Sequence, residues 1–335
     1  MKPALALMLS LAALPAGACD LCAVYRAGDT RAGNRPGWVF SLAEQFIPYR
    51  TAQIEGEEVK PDFAEHVDSS ITHLVAGYNV TARFGVSLNL PLTHLQFQRM
   101  DVRYSRTGPL AFYTESGVES GVGDLALIGR GTLLNARGED RGFAVDLLAG
   151  VKFPTGDPRR IRDEVDQTEI YNSRLPPGTP HDPLGHSITS VHQHTLALGS
   201  GSFDGIFGLT ANGNWRRWFF KAQFQYYLRT EGEPGFTFGD EWMISGGPGA
   251  FLFQKRTRAL SLQVNAVYDD MAQDEVLGQR SNRTGLTAWY LGPLLNFTWR
   301  SLNANAGVDV PLQIRNNGYQ VVPDYRLHGG VSWSF

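Results

Sequence analysis

The chain has 335 residues, 42% of them apolar, and a formal net charge of −3. That is length for one large domain or two ordinary ones. The near-balanced charge removes the polybasic argument for nucleic acid or anionic lipid as a partner.

Residues 1–18 read as a secretory signal. Lys2 supplies a modest positive start, Ala4–Leu14 an apolar stretch, and Ala16-Gly17-Ala18 a cleavage site of the Ala-x-Ala kind. No other stretch is long and uncharged enough for a spanning helix, so a chain that enters a membrane here must cross it with strands.

The cysteines are Cys19 and Cys22, in Cys19-Asp20-Leu21-Cys22. They open an expected periplasmic segment, 19–35, and three readings of the pair stay open. It is a disulfide or redox pair suited to an oxidising compartment, or Cys19 is acylated, or the pair is half of a metal site. Covalent haem is excluded, because Ala23 stands where a histidine would follow Cys22.

From residue 36 onward the chain alternates apolar and polar residues with a period of two, the pattern of strands with one face of each kind. In 302–313, Leu302, Ala304, Ala306, Val308, Val310 and Leu312 oppose Asn303, Asn305, Asp309 and Gln313. The same pattern, cleaner in some segments than others, predicts strands over 38–47, 69–79, 84–90, 121–134, 143–153, 192–211, 218–229, 238–252, 259–269, 285–299, 302–313 and 325–335. These are about twelve strands, most of a length that spans a bilayer when tilted. The last alternates to a terminal aromatic, Phe335, as outer-membrane barrels typically end.

Short connections are expected near 79–81, 135–141, 212–216, 254–258 and 300–301. Longer ones are expected at 48–66, 98–119, 154–191, 230–237, 270–284 and 315–323. Strict alternation of short and long is what a barrel with short periplasmic turns and longer outer loops requires. It puts both termini on the periplasmic side and the loop 154–191 outside the cell. Trp215, Trp218, Trp299, Trp333 and Phe335 fall near the periplasmic strand ends, where an aromatic girdle belongs.

The face opposite the apolar one carries charges of both signs: Asp124, Arg130, Asp146, Lys152, Lys221, Arg229, Asp309, Arg326 and His328. A dry core would tolerate so many poorly, whereas a polar lumen accommodates them. These nine are the candidate lumen and transport residues.

His181, His186, His192 and His194 crowd the end of the long loop. His192 and His194, two apart, would share a strand face as metal ligands. The plainer reading is a polar, proline-rich outer loop, and no cofactor other than a metal is in view. Catalytic motifs are scarce. Gly185-His186-Ser187-Ile188-Thr189 lacks the last glycine of a nucleophile elbow. Gly121-Val122-Gly123-Asp124-Leu125-Ala126 matches a dinucleotide fingerprint only nominally, since it lies in a predicted strand with no helix after it.

Four segments resemble the outer-membrane family named for a putative MetA pathway of phenol degradation. They are Gly121–Leu125, Gly150–Asp157 with its Lys-Phe-Pro-Thr-Gly-Asp run, Leu198–Asp204, and the terminal Val331–Phe335. The resemblance covers roughly 36–335. It implies an outer-membrane barrel that passes small molecules, hydrophobic or aromatic ones in view, and carries over no catalytic residue. Within those segments, Pro154 should end the strand closing at Phe153, Gly156 should permit the turn after it, and Gly199 and Gly201 should allow a bend.

The expectation is therefore an all-β chain, an antiparallel transmembrane β-barrel of about 12 strands over 36–335, acting as an outer-membrane channel for small solutes. Two alternatives stand beside it. One is a barrel that docks or sheathes a periplasmic redox or metal-handling partner through Cys19 and Cys22. The other is a barrel hydrolase of lipase or protease type, with Ser187 and the nearby histidines.

Overall fold

A computed structural model describes residues 36–60, 63–103 and 111–335. The signal, Cys19 and Cys22 lie outside the described residues.

The strands run in chain order as β1 Gly37–Ile54, β2 Glu57–Val59, β3 His66–Asn79, β4 Phe84–Arg103, β5 Ala111–Val122, β6 Leu125–Arg137 and β7 Arg141–Phe153. A helix, α1 Arg159–Asn172, and a short 3-10 turn, His194–Leu196, precede β8 Asp204–Trp215 and β9 Trp218–Leu228. Then come β10 Phe236–Thr237, β11 Glu241–Lys255, β12 Arg258–Met271, β13 Glu275–Val276, β14 Gln279–Arg280 and β15 Leu286–Trp299. The chain ends with β16 Leu302–Asn316, β17 Tyr319–Pro323 and β18 Arg326–Ser334.

Consecutive strands pair antiparallel, and β1 joins both β3 and β18, which closes the sheet. Both β5 and β6 pair with β4, so they are one strand interrupted at Gly123-Asp124. Likewise β17 and β18 both pair with β1. The result is a closed barrel of 12 strands. β10, β13 and β14 form a separate small sheet.

The molecule is inside-out relative to a soluble protein. Phe40, Leu42, Leu88, Leu127, Leu147, Leu209, Val264, Leu295 and Val331 are exposed, whereas Gln45, Asn89, Asp146, Gln225, Gln263 and Asp309 are buried. An apolar belt of that extent on the outside fits lipid as its solvent. Trp38, Phe40, Trp333 and Phe335 cluster where the first and last strands of the barrel meet. A second band, Trp242–Tyr268–Trp289, crosses three adjacent strands with ring centroids 4.9 and 4.6 Å apart. At ~3.3 Å per residue and a tilt of ~40°, Trp289 and Trp299 are separated by about 25 Å along the barrel axis, the height of an apolar belt.

The five short turns lie at the end where β1 begins and β18 stops. Toward the other end several expectations need correction. The connections expected over 98–119 and 315–323 are largely strand, as is the start of 48–66. There β1, β4, β5, β16 and β17 rise past the apolar belt and pair as ladders. Above lipid both faces of a strand meet polar surroundings, so the apolar half of the alternation fades. The strand expected over 192–211 begins only at Asp204. Residues 154–203, expected as an outer loop over 154–191, carry α1 and the 3-10 turn. They fold inward and bury Ile161, Leu184, Val191 and Leu196.

Candidate functional site

The inserted segment 154–203 is tied at both ends to one knot of buried groups. Lys152 Nζ, at the top of β7, lies 3.0 Å from Asp124 Oδ2, 2.7 Å from Asp204 Oδ2 and 2.6 Å from Ser200 Oγ. Asp124 accepts the backbone N–H groups of Gly156 at 2.9 Å and Ser200 at 2.8 Å. Asp204 is shared with Arg229, which also reaches Glu241, both at 3.1 Å. The N–H groups of Leu198 and Gly199 donate to the carbonyl of Asp157. Three of the four sequence segments that carried the family resemblance thus meet at a single point.

Glycine is required there by space. A Cβ on Gly199 would stand 2.6 Å from the Gly156 backbone and 2.6 Å from Asp124 Oδ1. Pro154 follows the last residue of β7, and Gly201 takes a left-handed φ of 72°.

Deeper in the segment the contacts are polar and largely buried. Arg99, on β4, is 1% exposed and pairs with Glu115 at 2.9 Å and Asp101 at 2.8 Å. It also donates to the carbonyl of Val191 at 2.9 Å. Arg160, on α1, bridges Glu115 and Glu119 of β5 at 2.8 and 2.6 Å. Glu65 holds the segment's other side, accepting Thr189 Oγ1 and both the N–H and Oγ of Ser190.

Glu164 of α1 accepts the backbone N–H groups of Gln193 and His194 and the Nδ1 side of His194 at 2.5 Å. His194 Nε2 faces Asp274 at 3.3 Å, so the imidazole joins the inserted segment to the barrel connection after β12. Burial by itself would raise the Glu164 carboxyl, but the His194 charge and hydrogen bond hold it well below the usual range. Burial opposes charge on His194 too, and there Glu164 and Asp274 outweigh it and raise the ring. Burial pushes Asp274 up. His192 is pushed down by burial to about 3 and His186 is lowered for the same reason, so both are neutral imidazoles.

The four histidines do not converge as ligands. His192 and His194 stack at 5.4 Å, but on a 3-10 turn and its approach rather than on one face of a strand. His192 Nδ1 shares a hydrogen bond with Ser187 Oγ, His186 Nδ1 with Thr168 Oγ1, and His181 is exposed. Both nitrogens of His194 already face carboxylates. Among the described residues no group of three His, Cys, Asp or Glu side chains stands as a metal site. The Ser187 hydroxyl and the Glu164 carboxylate approach the same nitrogen of His192, at 3.2 and 3.9 Å. A hydrolytic triad needs them on opposite nitrogens.

All nine candidate lumen residues stand on the inner side. Asp124, Lys152 and Arg229 belong to the knot. Arg326 pairs with Asp269 at 2.7 Å and lies over the Tyr290 ring, and His328 Nε2 faces Asp309 at 3.5 Å. Nearer the short turns, Arg130 is 3.5 Å from Asp146 and Lys221 is partly exposed. Sequence reasoning missed Glu65, Arg99, Glu115, Glu164, Ser200 and Asp204. For α1 a signal exists: Ile161, Val165, Thr168 and Asn172 recur at helical spacing and, with Glu164, are its buried residues.

No family model matches the chain, and no curated protein matches it. Among solved structures, the COG4313 outer membrane channel from Pseudomonas putida F1 is similar at 13% identity and a TM-score of 0.59, over 92% of this chain and 98% of that one. The β domain of the Bordetella autotransporter BrkA gives 10% identity and a TM-score of 0.41, over 90% and 100%. The P. putida toluene transporter TodX gives 8% and 0.36, over 91% and 93%. At these identities the likeness is one of fold, and the first of the three carries it.

Proposed function

We propose that the chain is an outer-membrane channel for small molecules whose passage is narrowed at the outer end by residues 154–203. The observation that carries this is a lipid-facing barrel with a charged and polar interior, filled at one end by its own chain. A barrel serving only as an anchor has no need of a wall lined by Arg130, Asp146 and Lys221 below such a filling. In this reading both termini face the periplasm. Asp124, Lys152 and Arg229 hold the inserted segment, and Arg130, Asp146 and Lys221 belong to the inner wall nearer the short turns. The channel named for the P. putida F1 structure supports the reading through shared fold, and the motif resemblance to the MetA-pathway family supports solutes that include hydrophobic or aromatic ones.

The test is flux into proteoliposomes. Uptake of small neutral solutes should exceed that of protein-free vesicles and fall with solute size. Uptake equal to empty vesicles for every solute, with the barrel folded, overturns the proposal.

A further inference from the structure

A cavity of about 310 Å³ opens where the inserted segment meets the barrel mouth. Its lining includes Glu55 at the tip of β1, Ser187 and Ile188 of the segment, Asn282 and Arg283 before β15, and Tyr319 at the start of β17. The walls are fixed before anything binds. Glu55 Oε1 accepts the N–H of Gly318 at 2.7 Å, and Asn317 Nδ2 donates to the Thr284 carbonyl at 2.9 Å. Arg283 Nη1 donates to the carbonyls of Leu184 and Ser187 at 3.0 and 2.5 Å, and the N–H of Val321 to that of Ser190 at 3.2 Å. Preformed walls lower the ordering cost of a ligand.

One side chain is out of keeping with its surroundings. Ile188 is 47% exposed, while its neighbours Ser187 and Thr189 are 7% and 3% exposed. The segment buries its hydroxyls and turns an aliphatic group into the cavity. Opposite chemistry rims it: the Arg283 guanidinium and Asn282 amide donate, and the Glu55 carboxylate accepts and repels anions.

We propose that this cavity is a binding site for a small neutral amphipath, an apolar body carrying one hydroxyl. The apolar part lies on Ile188 and the Tyr319 ring. The hydroxyl donates to Glu55 and accepts from Arg283 or Asn282. A free carboxylate meets Glu55 with no hydrogen to donate to it, and the Arg283 guanidinium that would attract it is already shared with two carbonyls and Asp182; a bare hydrocarbon leaves these polar groups unanswered. That the site serves solute on its way through the barrel rests on the channel reading; that it binds does not.

The test is equilibrium dialysis of benzyl alcohol, toluene and benzoate against the full chain in nanodiscs, with empty nanodiscs subtracted. Benzyl alcohol should bind saturably and more tightly than the other two. Ile188→Lys, which puts an ammonium where the apolar body lies, should weaken it by about tenfold or more. Glu55→Gln should bring benzoate close to benzyl alcohol, and this second variant decides the matter if the first fails to fold. Wild-type preference for benzoate, or alcohol binding unmoved by Ile188→Lys in a folded barrel, overturns the site. Solute flux through the same protein in liposomes reads the channel separately. Flux without alcohol binding sinks the site alone, and binding without flux sinks the channel alone.

Discussion

Replacing Lys152 with Met tests the knot that ties the inserted segment to the wall. The ammonium is buried and lies within 3.0 Å of both Asp124 and Asp204. Asp204 would keep Arg229, whereas Asp124 would keep only its hydroxyl and N–H donors from Ser200 and Gly156. Removing one partner of a buried pair costs about 3–5 kcal/mol, and since one of the two carboxylates stays paired the lower end applies, about 3 kcal/mol. If that cost falls on the docked state, opening of the segment becomes roughly a hundredfold more frequent. The assay is hydrogen exchange at the amides of Leu198, Gly199 and Ser200, which donate to Asp157 and Asp124. They should exchange about a hundredfold faster, and pairing the change with Asp124→Asn should recover part of the loss. Exchange within threefold of wild type would refute the reasoning, because the ion pairs would then contribute nothing to docking.

Other consequences are as specific. Gly199→Ala places a Cβ against Gly156 and Asp124; it should lower stability by about 1–3 kcal/mol in urea unfolding and speed exchange at the same amides. His192 is neutral when docked, with its proton affinity depressed to about 3. The undocked ring takes up a proton as pH falls below its ordinary value and the docked ring does not, so docking weakens on acidification, and His192→Gln should flatten exchange against pH in that window. His194 has the opposite sign. Its raised affinity stabilises docking fully below the ordinary histidine range, and this contribution is lost as pH rises through the docked value; His194→Gln should therefore weaken docking most at mildly acid pH. Leu295→Arg sets a charge on the lipid face near mid-belt and should cost about 2–4 kcal/mol in a bilayer folding titration.

The barrel was legible because lipid and lumen demand opposite side chains at every step of a strand. Where both hold, as over Leu302–Leu312 or Phe220–Leu228, alternation marked the strand within a few residues of its limits. Where one condition lapses the signal goes. Arg99, Asp101, Glu115 and Glu119 sit on ladders above the belt, in sequence that reads as loop. The inserted segment was hidden for a related reason. Its partners inside the barrel include Glu65, Arg99 and Asp274 beside Val67, Leu95 and Phe97, so Thr168, Ser187, His192 and Gln193 are buried along with Ile161, Leu184, Val191 and Leu196, and burial there leaves only a broken apolar pattern. The alternation of His192, His194, Leu196 and Leu198 imitated a strand. The resemblance segments did mark the knot, but as separate runs; that Asp124, Lys152 and Ser200 touch is a fact of three dimensions.

The most direct test of the narrowed-channel account removes the filling. Asp157 and Leu198 are joined by a backbone hydrogen bond of 3.1 Å, so a short glycine linker can replace 159–196 without moving the strands. Single-channel conductance of this deletion in planar bilayers, set beside the intact chain, is the measurement. The account predicts small steps for the intact chain and large, stable openings for the deletion. A deletion variant that folds as a barrel and conducts no better than the intact chain would contradict it.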